Sequence, residues 1–408
     1  MRLAIVADDL TGAMDTGLQL SKRGVRVLVP LSWRNLPQAE ALAINTETRA
    51  AKASEAYRLV KRVTRLLTGY TLYKKIDSTF RGNIGFELRA LAEVLRPRGI
   101  VVAPAFPGGG RTTLHGYQRV DGRPLEQTSF ARDPRWPMQE SYLPTLLMRQ
   151  AGKEVGLVDI RTVEKGPEAI AEAVLACRAF AVVVDALEDV HLQMIARALR
   201  LLGNGWVPCG SAGLAQAWVE AWGFVGSGHL TCPRFSEGPV LIISASRNIR
   251  TLEQLSVLRK KGVPIVQLDS WGCYEEDGEV LRLVSKSLAA LQRGQDLVLT
   301  SSFSPLLPGG QELIVRVLAR VAKEIISQCM LGGMCLTGGD AAMAVCQTLE
   351  VQALEITGEV QSGIPGGIAL GGCVDGLPIV TKAGGFGDER ALLEALCYLK
   401  GRRNSAAR

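Results

Sequence analysis

Histidine and aromatic side chains are scarce in this chain of 408 residues, which holds three histidines and only 5% Phe, Trp and Tyr. Its nine cysteines include no Cys-x-x-Cys pair, so we expect neither a zinc site nor a disulfide framework. The net charge is +7, but no stripe of basic and aromatic residues accompanies it, which argues against a nucleic-acid partner. Anionic small molecules are the partners that this charge favours.

Long apolar runs are also missing. The longest have the length of a strand, far below the ~20 residues that cross a bilayer, so we predict no membrane span and no membrane partner. No apolar stretch typical of a signal peptide precedes the first strand, and we therefore expect a cytoplasmic protein.

The chain does contain a regular alternation of strand-like and helical segments, which is typical of parallel βαβ units. Residues 223–239 lose this periodicity and are rich in Gly, Pro and Ser, so they are the predicted linker between domains at 1–228 and 238–408. We predict an α/β fold in which each domain has a mostly parallel sheet flanked by helices, with the active-site cleft between the domains. A segment from Phe106 to about Trp136 lacks any pattern and is predicted to be a functional loop.

Three carboxylates surround the turn after the first predicted strand, Leu3 to Val6. They are Asp8, Asp9 and Asp15. Ligands of open α/β sheets bind outside the carboxyl ends of the strands, so these acids are candidates for binding a cation or accepting a proton. The alternative is structural: Asp8 or Asp9 would cap the following helix, with Thr11 as another candidate for its N-cap.

A second polar turn follows the predicted strand from Thr71 to Ile76. Lys75 and Arg81 suit a substrate carboxylate, whereas Asp77 and Asn83 suit hydroxyl groups, so together they fit a polyhydroxy acid. The alternative is a charged turn that only faces solvent.

Arg111 follows a run of three glycines, Gly108 to Gly110, and adds a fixed positive charge there. It is a candidate third clamp on an anionic substrate. The alternative is a flexible connection.

Turns of small residues follow predicted strands in the second half of the chain. Free N–H groups at such helix starts suit the phosphates of a nucleotide. The candidates are Ser246, the turn from Gly338 to Ala341, and the segment from Lys382 to Gly387, where Lys382 is predicted to meet phosphate charge. Neither the Walker pattern nor the dinucleotide fingerprint is present, and structural turns and bulges are the alternative.

Five motifs, taken in order, resemble the four-carbon acid sugar kinase family. They are Ala7-Asp8-Asp9-Leu10-Thr11-Gly12-Ala13 with Asp15, Lys75-Ile76-Asp77-Ser78-Thr79 with Arg81-Gly82-Asn83, Gly110-Arg111-Thr112, Gly338-Gly339-Asp340, and Lys382 through Gly387. The resemblance implies an N-terminal domain that binds the sugar acid and a C-terminal domain that binds ATP. It also implies phosphate transfer to the terminal (4-) hydroxyl of threonate, erythronate or an oxo-tetronate.

The same resemblance implies contacts between the nucleotide and a set of residues in the second half of the chain. They are Ser246, Gly338, Gly339, Asp340, Ala341, Lys382 and Gly384. The chain departs from the family pattern at Ala245, where relatives usually have Gly, and at Gly385, where the last loop often has Asn.

The implied reaction uses ATP, with Mg²⁺ on its phosphates, and an acidic residue near the accepting hydroxyl. Asp8 or Asp9 would accept or orient the hydroxyl proton, and Asp15 would help to form the sugar pocket. Lys75 and Arg81 would hold the substrate carboxylate, with Arg111 in the same role. The sequence assigns no metal ligands.

Two other functions stay open. A phosphatase could form an aspartyl-phosphate on Asp8, although such enzymes generally have a second Asp where this chain has Leu10. A non-catalytic sugar-acid-binding protein would also have two α/β lobes. The oligomeric state is open as well, with a homodimer as one possibility.

Overall fold

The computed structural model describes residues 2–402 apart from 35, 134–135, 229–230, 232, 234, 236, 306 and 308. Two compact units divide the chain. The first unit comprises Met1–Val27 and Gln38–His229, and the second comprises Leu28–Pro37 and Leu230–Arg408. None of the described helices combines the length and the apolar character needed to span a bilayer.

Most strands are followed by a helix up to residue 222. In chain order the elements are β1 (Leu3–Ala7), α1 (Leu10–Ser21), β2 (Val27–Pro30), β3 (Ala41–Asn45), α2 (Ala53–Leu66), β4 (Thr71–Lys75), α3 (Ile84–Leu95), β5 (Gly99–Ala103), β6 (Arg111–Leu114), β7 (Tyr117–Val120), β8 (Arg123–Pro124), α4 (Leu143–Ala151), β9 (Val155–Val158), α5 (Ile160–Val163), α6 (Pro167–Cys177), β10 (Ala181–Val184), α7 (Asp189–Leu202), β11 (Trp206–Gly210) and α8 (Ala212–Trp222). Among them β2-β3 and β6-β7-β8 are runs of strands.

Further strands and helices follow from residue 240. The elements there are β12 (Val240–Ser244), α9 (Ile249–Lys260), β13 (Ile265–Gln267), α10 (Glu276–Leu291), β14 (Leu297–Thr300), α11 (Gln311–Ile326), β15 (Gly333–Thr337), α12 (Gly339–Thr348), β16 (Ala353–Gln361), β17 (Ile364–Leu370), β18 (Pro378–Lys382) and α13 (Ala391–Leu399). Strands and helices alternate as far as β16, after which β16, β17 and β18 follow one another.

The first unit is built on a parallel sheet with the strand order β3-β1-β4-β11-β5-β10-β9. Most of its strands are nearly continuous apolar runs, as expected for a parallel sheet covered by helices on both faces, and every residue of β1 is buried; β4 differs in ending with Lys74 and Lys75. In the register, Ala7 lies opposite both Asn45 and Lys75. The polar segments that follow β1, β3 and β4 therefore start at the same edge of the sheet.

The second unit contains the strand order β13-β14-β12-β15-β18-β17-β16-β2. The pairs from β13 to β18 are parallel, whereas β18, β17, β16 and β2 pair antiparallel. From β12 the chain crosses to β13 on one side, and it later reaches β15 on the other side of β12. The ends of β12 and β15 therefore flank a topological switch point, which is where α/β sheets bind their ligands.

The predicted α/β class with mostly parallel sheets is confirmed. The prediction that residues 106–136 lack regular structure is wrong, because β6, β7 and β8 form a small antiparallel sheet there. These strands carry many polar residues and so show no apolar alternation. The predicted linker includes residues 229–230, 232, 234 and 236, which lie outside the described residues.

Candidate functional site

Asp9 caps helix α1 at the carboxyl end of β1. Its backbone is extended, its Oδ1 accepts a hydrogen bond from Gly12 N at 2.8 Å, and its Oδ2 accepts one from the Thr11 hydroxyl at 3.0 Å. An anion at this position is stabilised by the helix dipole. The suggested N-cap role of Thr11 is wrong, because α1 already begins at Leu10 and Thr11 lies in its first turn.

Arg49 bridges the two neighbouring aspartates of the acidic turn. Its Nε and one terminal nitrogen donate to the two oxygens of Asp8 at 2.7 and 2.9 Å, and its other terminal nitrogen donates to Asp9 Oδ2 at 2.6 Å. The same guanidinium lies 3.9 Å from Asp77 Oδ1. A single planar cation thus fixes the orientation of both carboxylates and links them to the turn after β4.

The Asp8 carboxylate is almost fully buried, with 1% of its surface exposed. Burial by itself raises its pKa, but the charge and hydrogen bonds of Arg49, together with Lys74 and Lys75, outweigh burial and hold the pKa below its usual range. Asp8 is therefore ionised at neutral pH. It is a strong hydrogen-bond acceptor and a weak base.

Asp77 forms a second paired carboxylate beside the first. Arg81 donates to it from Nε at 2.8 Å and from a terminal nitrogen at 3.2 Å, and its other terminal nitrogen donates to Asp133 at 2.8 Å. Burial raises the pKa of Asp77, but Arg81 and Arg49 together lower it well below the usual range. Arg81, predicted to clamp a substrate carboxylate, is thus already shared between two carboxylates of the protein.

Lys74 and Glu87 form a buried ion pair beneath these turns. The Nζ–Oε2 distance is 2.7 Å, and neither side chain has any exposed surface. The Lys74 ammonium also donates to the backbone oxygens of Val6 at 3.3 Å and Lys75 at 2.9 Å. The pair therefore holds the ends of β1 and β4 together.

Lys75 lies on the other side of β4, next to the start of α1. A Cβ atom placed on Gly12 would be 2.9 Å from its Nζ, so the ammonium lies against the backbone of the capped turn. Lys75 is 5% exposed. Among the residues that the structure describes, no group forms an ion pair or hydrogen bond with this ammonium. Its charge acts on the Asp8 carboxylate, and its ammonium hydrogens suit direct contact with an incoming anion.

Asn83, whose contact with a substrate hydroxyl stays a prediction, donates its amide hydrogens to the backbone oxygens of Thr48 and Ala51, both at 2.8 Å. Those residues flank Arg49. Asn83 is 1% exposed, and these two bonds order the segment that carries Arg49.

Arg111 and Asp15 lie near the same edge. Arg111 is half-buried and donates to the backbone oxygen of Gly109; burial lowers its pKa, while Asp77 and Asp121 act in the opposite direction. Asp15 is buried in α1, and its charge acts on the Tyr73 hydroxyl, whose pKa is raised mainly by burial.

The sequence reasoning missed Arg49, the residue that joins the two predicted turns. The signal was present: the apolar run Ala41 to Ile44 is followed by the polar run Asn45 to Arg49. Recognising β3 would have placed Arg49 at the carboxyl end of a strand by the rule used for Asp8. Asp133 has no such signal, because it reaches the site through an irregular segment.

The second unit brings together the small-residue turns predicted to bind phosphate. A Cβ atom on Gly384 would overlap the Ser246 hydroxyl, and one on Gly338 would lie 3.8 Å from Ser246 N. Thr251 links the turns, donating to Gly384 O at 2.8 Å and lying 3.2 Å from Ser246 Oγ. The three turns therefore meet at the topological switch point.

Gly338 starts helix α12 in a conformation that favours glycine, with φ at +101°. It is followed in the first turn by Gly339, Asp340 and Ala341, whose backbone N–H groups lack intrahelical partners, as at any helix start. Asp340 Oδ2 accepts from Gln311 at 3.4 Å. The turn offers peptide N–H groups and the positive end of a helix dipole to an anion.

Lys382 is predicted to meet phosphate charge, and that contact stays a prediction. Its side chain is fully buried, and its Nζ donates to the backbone oxygens of Ala383 at 2.9 Å, Gly384 at 3.2 Å and Phe386 at 3.1 Å. Burial lowers its pKa to about 8. These three hydrogen bonds hold the loop from Ala383 to Phe386 in its conformation.

Comparisons with known proteins match the two parts of the chain to two different domain families. A family model described as a sugar-binding N-terminal domain matches residues 3–218, and one described as a nucleotide-binding C-terminal domain matches residues 241–392.

Curated relatives match the chain over nearly its whole length. It is 34% identical to a D-threonate kinase of Salmonella typhimurium, covering 98% of this chain and 99% of the relative. It is 32% identical to a D-erythronate kinase of Heliobacterium modesticaldum, covering 97% of each. It is 27% identical to a 3-oxo-tetronate kinase of Methylobacterium radiotolerans, covering 95% and 96%.

Solved structures share the fold. A protein of Salmonella typhimurium LT2 superposes with a TM-score of 0.80 at 24% identity, covering 97% of this chain and 98% of the other. A Haemophilus influenzae protein of a family of unknown function superposes with a TM-score of 0.72 at 25% identity, covering 96% and 99%.

Proposed function

This chain belongs to the four-carbon acid sugar kinase family, and we propose that it transfers the terminal phosphoryl group of ATP to the 4-hydroxyl of a four-carbon sugar acid. The substrate class is threonate, erythronate or an oxo-tetronate, in line with the names of the relatives.

The observation that carries the proposal is the Lys75 ammonium beside the Arg49-bridged carboxylates. A buried cation next to Asp8 and Asp9 suits a small molecule that has both an anionic group and hydroxyl groups. The carboxylate of a sugar acid would pair with Lys75, and its hydroxyls would donate to the two aspartates. Arg111 and Asp15 would line the same pocket.

Phosphoryl transfer passes through a loose transition state, so orientation of the accepting hydroxyl contributes more than its full deprotonation. Asp8 and Asp9 suit that task, because Arg49 fixes both carboxylates and the low pKa of Asp8 keeps it an acceptor. Asp77, Arg81 and Asn83 would act indirectly, by holding Arg49 and the turn after β4.

In the second unit, the phosphates of ATP would bind the peptide N–H groups of Ser246, the α12 turn and Gly384, with Lys382 keeping the last loop in shape. No cluster of three or more His, Cys, Asp or Glu side chains suited to a metal occurs in the described part of the chain. Mg²⁺ binds mainly through phosphates and takes only one or two carboxylates from a protein. Asp340 would be such a carboxylate, and the ion would neutralise phosphate charge.

A coupled ADP-release assay over D-threonate, D-erythronate and 3-oxo-tetronate tests the proposal, with ³¹P NMR to locate the new phosphate ester. We expect ADP release only when a four-carbon acid is present, with the ester at the 4-position. ADP release at the same rate without any acid, or an ester at another position, would contradict it.

Two substitutions sharpen the assay. Lys75→Met should raise KM for the acid more than it lowers kcat, since it removes a binding charge, whereas Lys153→Met at an exposed position of the same unit should change neither. Asp8→Asn and Asp9→Asn should each lower kcat. If both variants kept full turnover, the two aspartates would have no part in catalysis.

A further inference from the structure

Two large aromatic side chains are exposed side by side in the second unit. Trp271 is 61% exposed and Tyr274 is 65% exposed, and their ring centroids lie 6.3 Å apart with an angle of 38° between the planes. Both follow strand β13, in and just before a short 3₁₀ turn, Gly272–Glu275. Exposed aromatic side chains that adjoin one another in this way are a candidate for a ligand contact.

The turn that carries these rings is rigidly held. Asp269 Oδ1 accepts from the backbone N–H of Trp271 at 3.1 Å, and Asp269 N donates to Glu279 Oε1 at 2.7 Å. The Cys273 thiol lies 3.3 Å from Asp269 O. The rings are therefore presented on a fixed backbone, which lowers the entropy lost when a ligand stacks on them.

Hydrogen bonds connect this turn to the phosphate-binding turns proposed above. The Ser270 hydroxyl donates to Pro305 O at 2.9 Å, and Arg247, which directly follows Ser246, donates to Ser304 O. The strand order β13-β14-β12 places Gln267, at the end of β13, two strand spacings, about 10 Å, from Ser244, at the end of β12. Trp271 follows the first of these strand ends by four residues and Ser246 follows the second by two, so both lie on segments that leave the same edge of the sheet.

We propose that Trp271 and Tyr274 form the stacking platform for the base of the nucleotide whose phosphates bind at Ser246. This inference rests on the proposed kinase function and adds a base subsite to it. A flat aromatic base gains stacking energy on such rings with little need for hydrogen bonds. Two rings are also far smaller than the ~800 Å² per partner of a stable protein interface, so a base suits them better than a second protein.

Calorimetry on the full chain with ADP and with inorganic pyrophosphate tests the platform. Trp271→Ala should raise the Kd for ADP about tenfold, which corresponds to ~1.4 kcal/mol, and leave pyrophosphate binding unchanged. Tyr274→Ala should have a smaller effect of the same kind, and Trp271→Phe should retain most of the affinity. Leu281→Ala, at a 71% exposed apolar position of α10, is the matched control and should change neither Kd.

Two outcomes would overturn the platform. They are an unchanged Kd for ADP in Trp271→Ala, or an equal loss of affinity for ADP and for pyrophosphate. A different result would refute the kinase proposal alone. In that case the wild-type protein binds ADP through Trp271, but it releases no ADP from ATP with any four-carbon acid. Wild-type protein that binds no ADP would refute both.

Discussion

Replacing Arg49 by Met should destabilise the first unit strongly and in a way that depends on pH. The substitution removes three charge-assisted hydrogen bonds of 2.6–2.9 Å and leaves the Asp8 carboxylate, 1% exposed, without its main counter-charge. Breaking one side of a buried ion pair costs about 3–5 kcal/mol. Arg49 itself is 21% exposed, so we expect the lower part of that range at pH 7.

The sign of the pH dependence follows from the direction of the Asp8 shift. In the wild type the pKa of Asp8 is lowered, so its contribution to stability is present above the ordinary Asp value of about 3.9 and is lost as the pH falls through the lowered pKa. Without Arg49, burial is opposed only by the charges of Lys74 and Lys75, so we expect the pKa of Asp8 to rise and protonation at acid pH to remove the uncompensated charge. The gap in unfolding free energy between wild type and Arg49→Met should therefore be largest near pH 7 and shrink towards pH 4.

Hydrogen exchange of peptides from β1 and β4, measured in urea from pH 4 to 7, reports the stability of the first unit separately from that of the second. Arg62→Met, at an exposed position of α2, is the control and should stay within about 0.5 kcal/mol of wild type at every pH. A destabilisation by Arg49→Met that stays constant over this range would refute the reasoning, because it would show that Asp8 does not depend on Arg49 for its ionisation.

Three further predictions follow from other buried contacts. Lys74→Met should lower the free energy of unfolding in urea by about 3–5 kcal/mol, because it leaves the buried Glu87 carboxylate without its cation. The double variant Lys74→Met/Glu87→Leu should recover most of this loss, and no recovery would mean that the two side chains are not coupled. The pKa of Lys382 is lowered from 10.5 to about 8, so the free energy of unfolding of wild type relative to Lys382→Met should rise between pH 8 and 10, by at most about 3 kcal/mol. If urea unfolding gave the same difference between the two proteins at both pH values, the shift would be contradicted. Gly384→Ala should weaken ADP binding at least tenfold in calorimetry because its methyl group overlaps a serine hydroxyl, while Gly385→Ala, whose nearest neighbour would be 3.4 Å away, should bind nearly as wild type.

The sequence predicted the features that depend on local pattern. Apolar runs ending in polar turns predicted β1 and β4, and the same rule brought Asp8 and Lys75 to one edge of the sheet. Small residues after β12 and β15 predicted the turns at Ser246 and Gly338. These predictions succeeded because strand ends and helix starts are determined by a few neighbouring residues.

The partners of charged residues could not be predicted in the same way. Whether Arg81 faces a substrate or Asp133 depends on a segment 52 residues further along the chain. Lys382 has the spacing expected of a phosphate contact, yet its side chain folds back onto its own loop. Tertiary packing decides which flexible side chains pair over long range, and the local sequence pattern does not predict that packing.

Hydrogen exchange of the full chain with and without ADP tests the central claim most directly, namely that the nucleotide phosphates bind the small-residue turns of the second unit. We expect ADP to protect residues 244–251, 337–343 and 382–387 and to leave residues 7–17 and 75–83 unchanged. Protection of residues 7–17 with none at 337–343 and 382–387 would contradict the account.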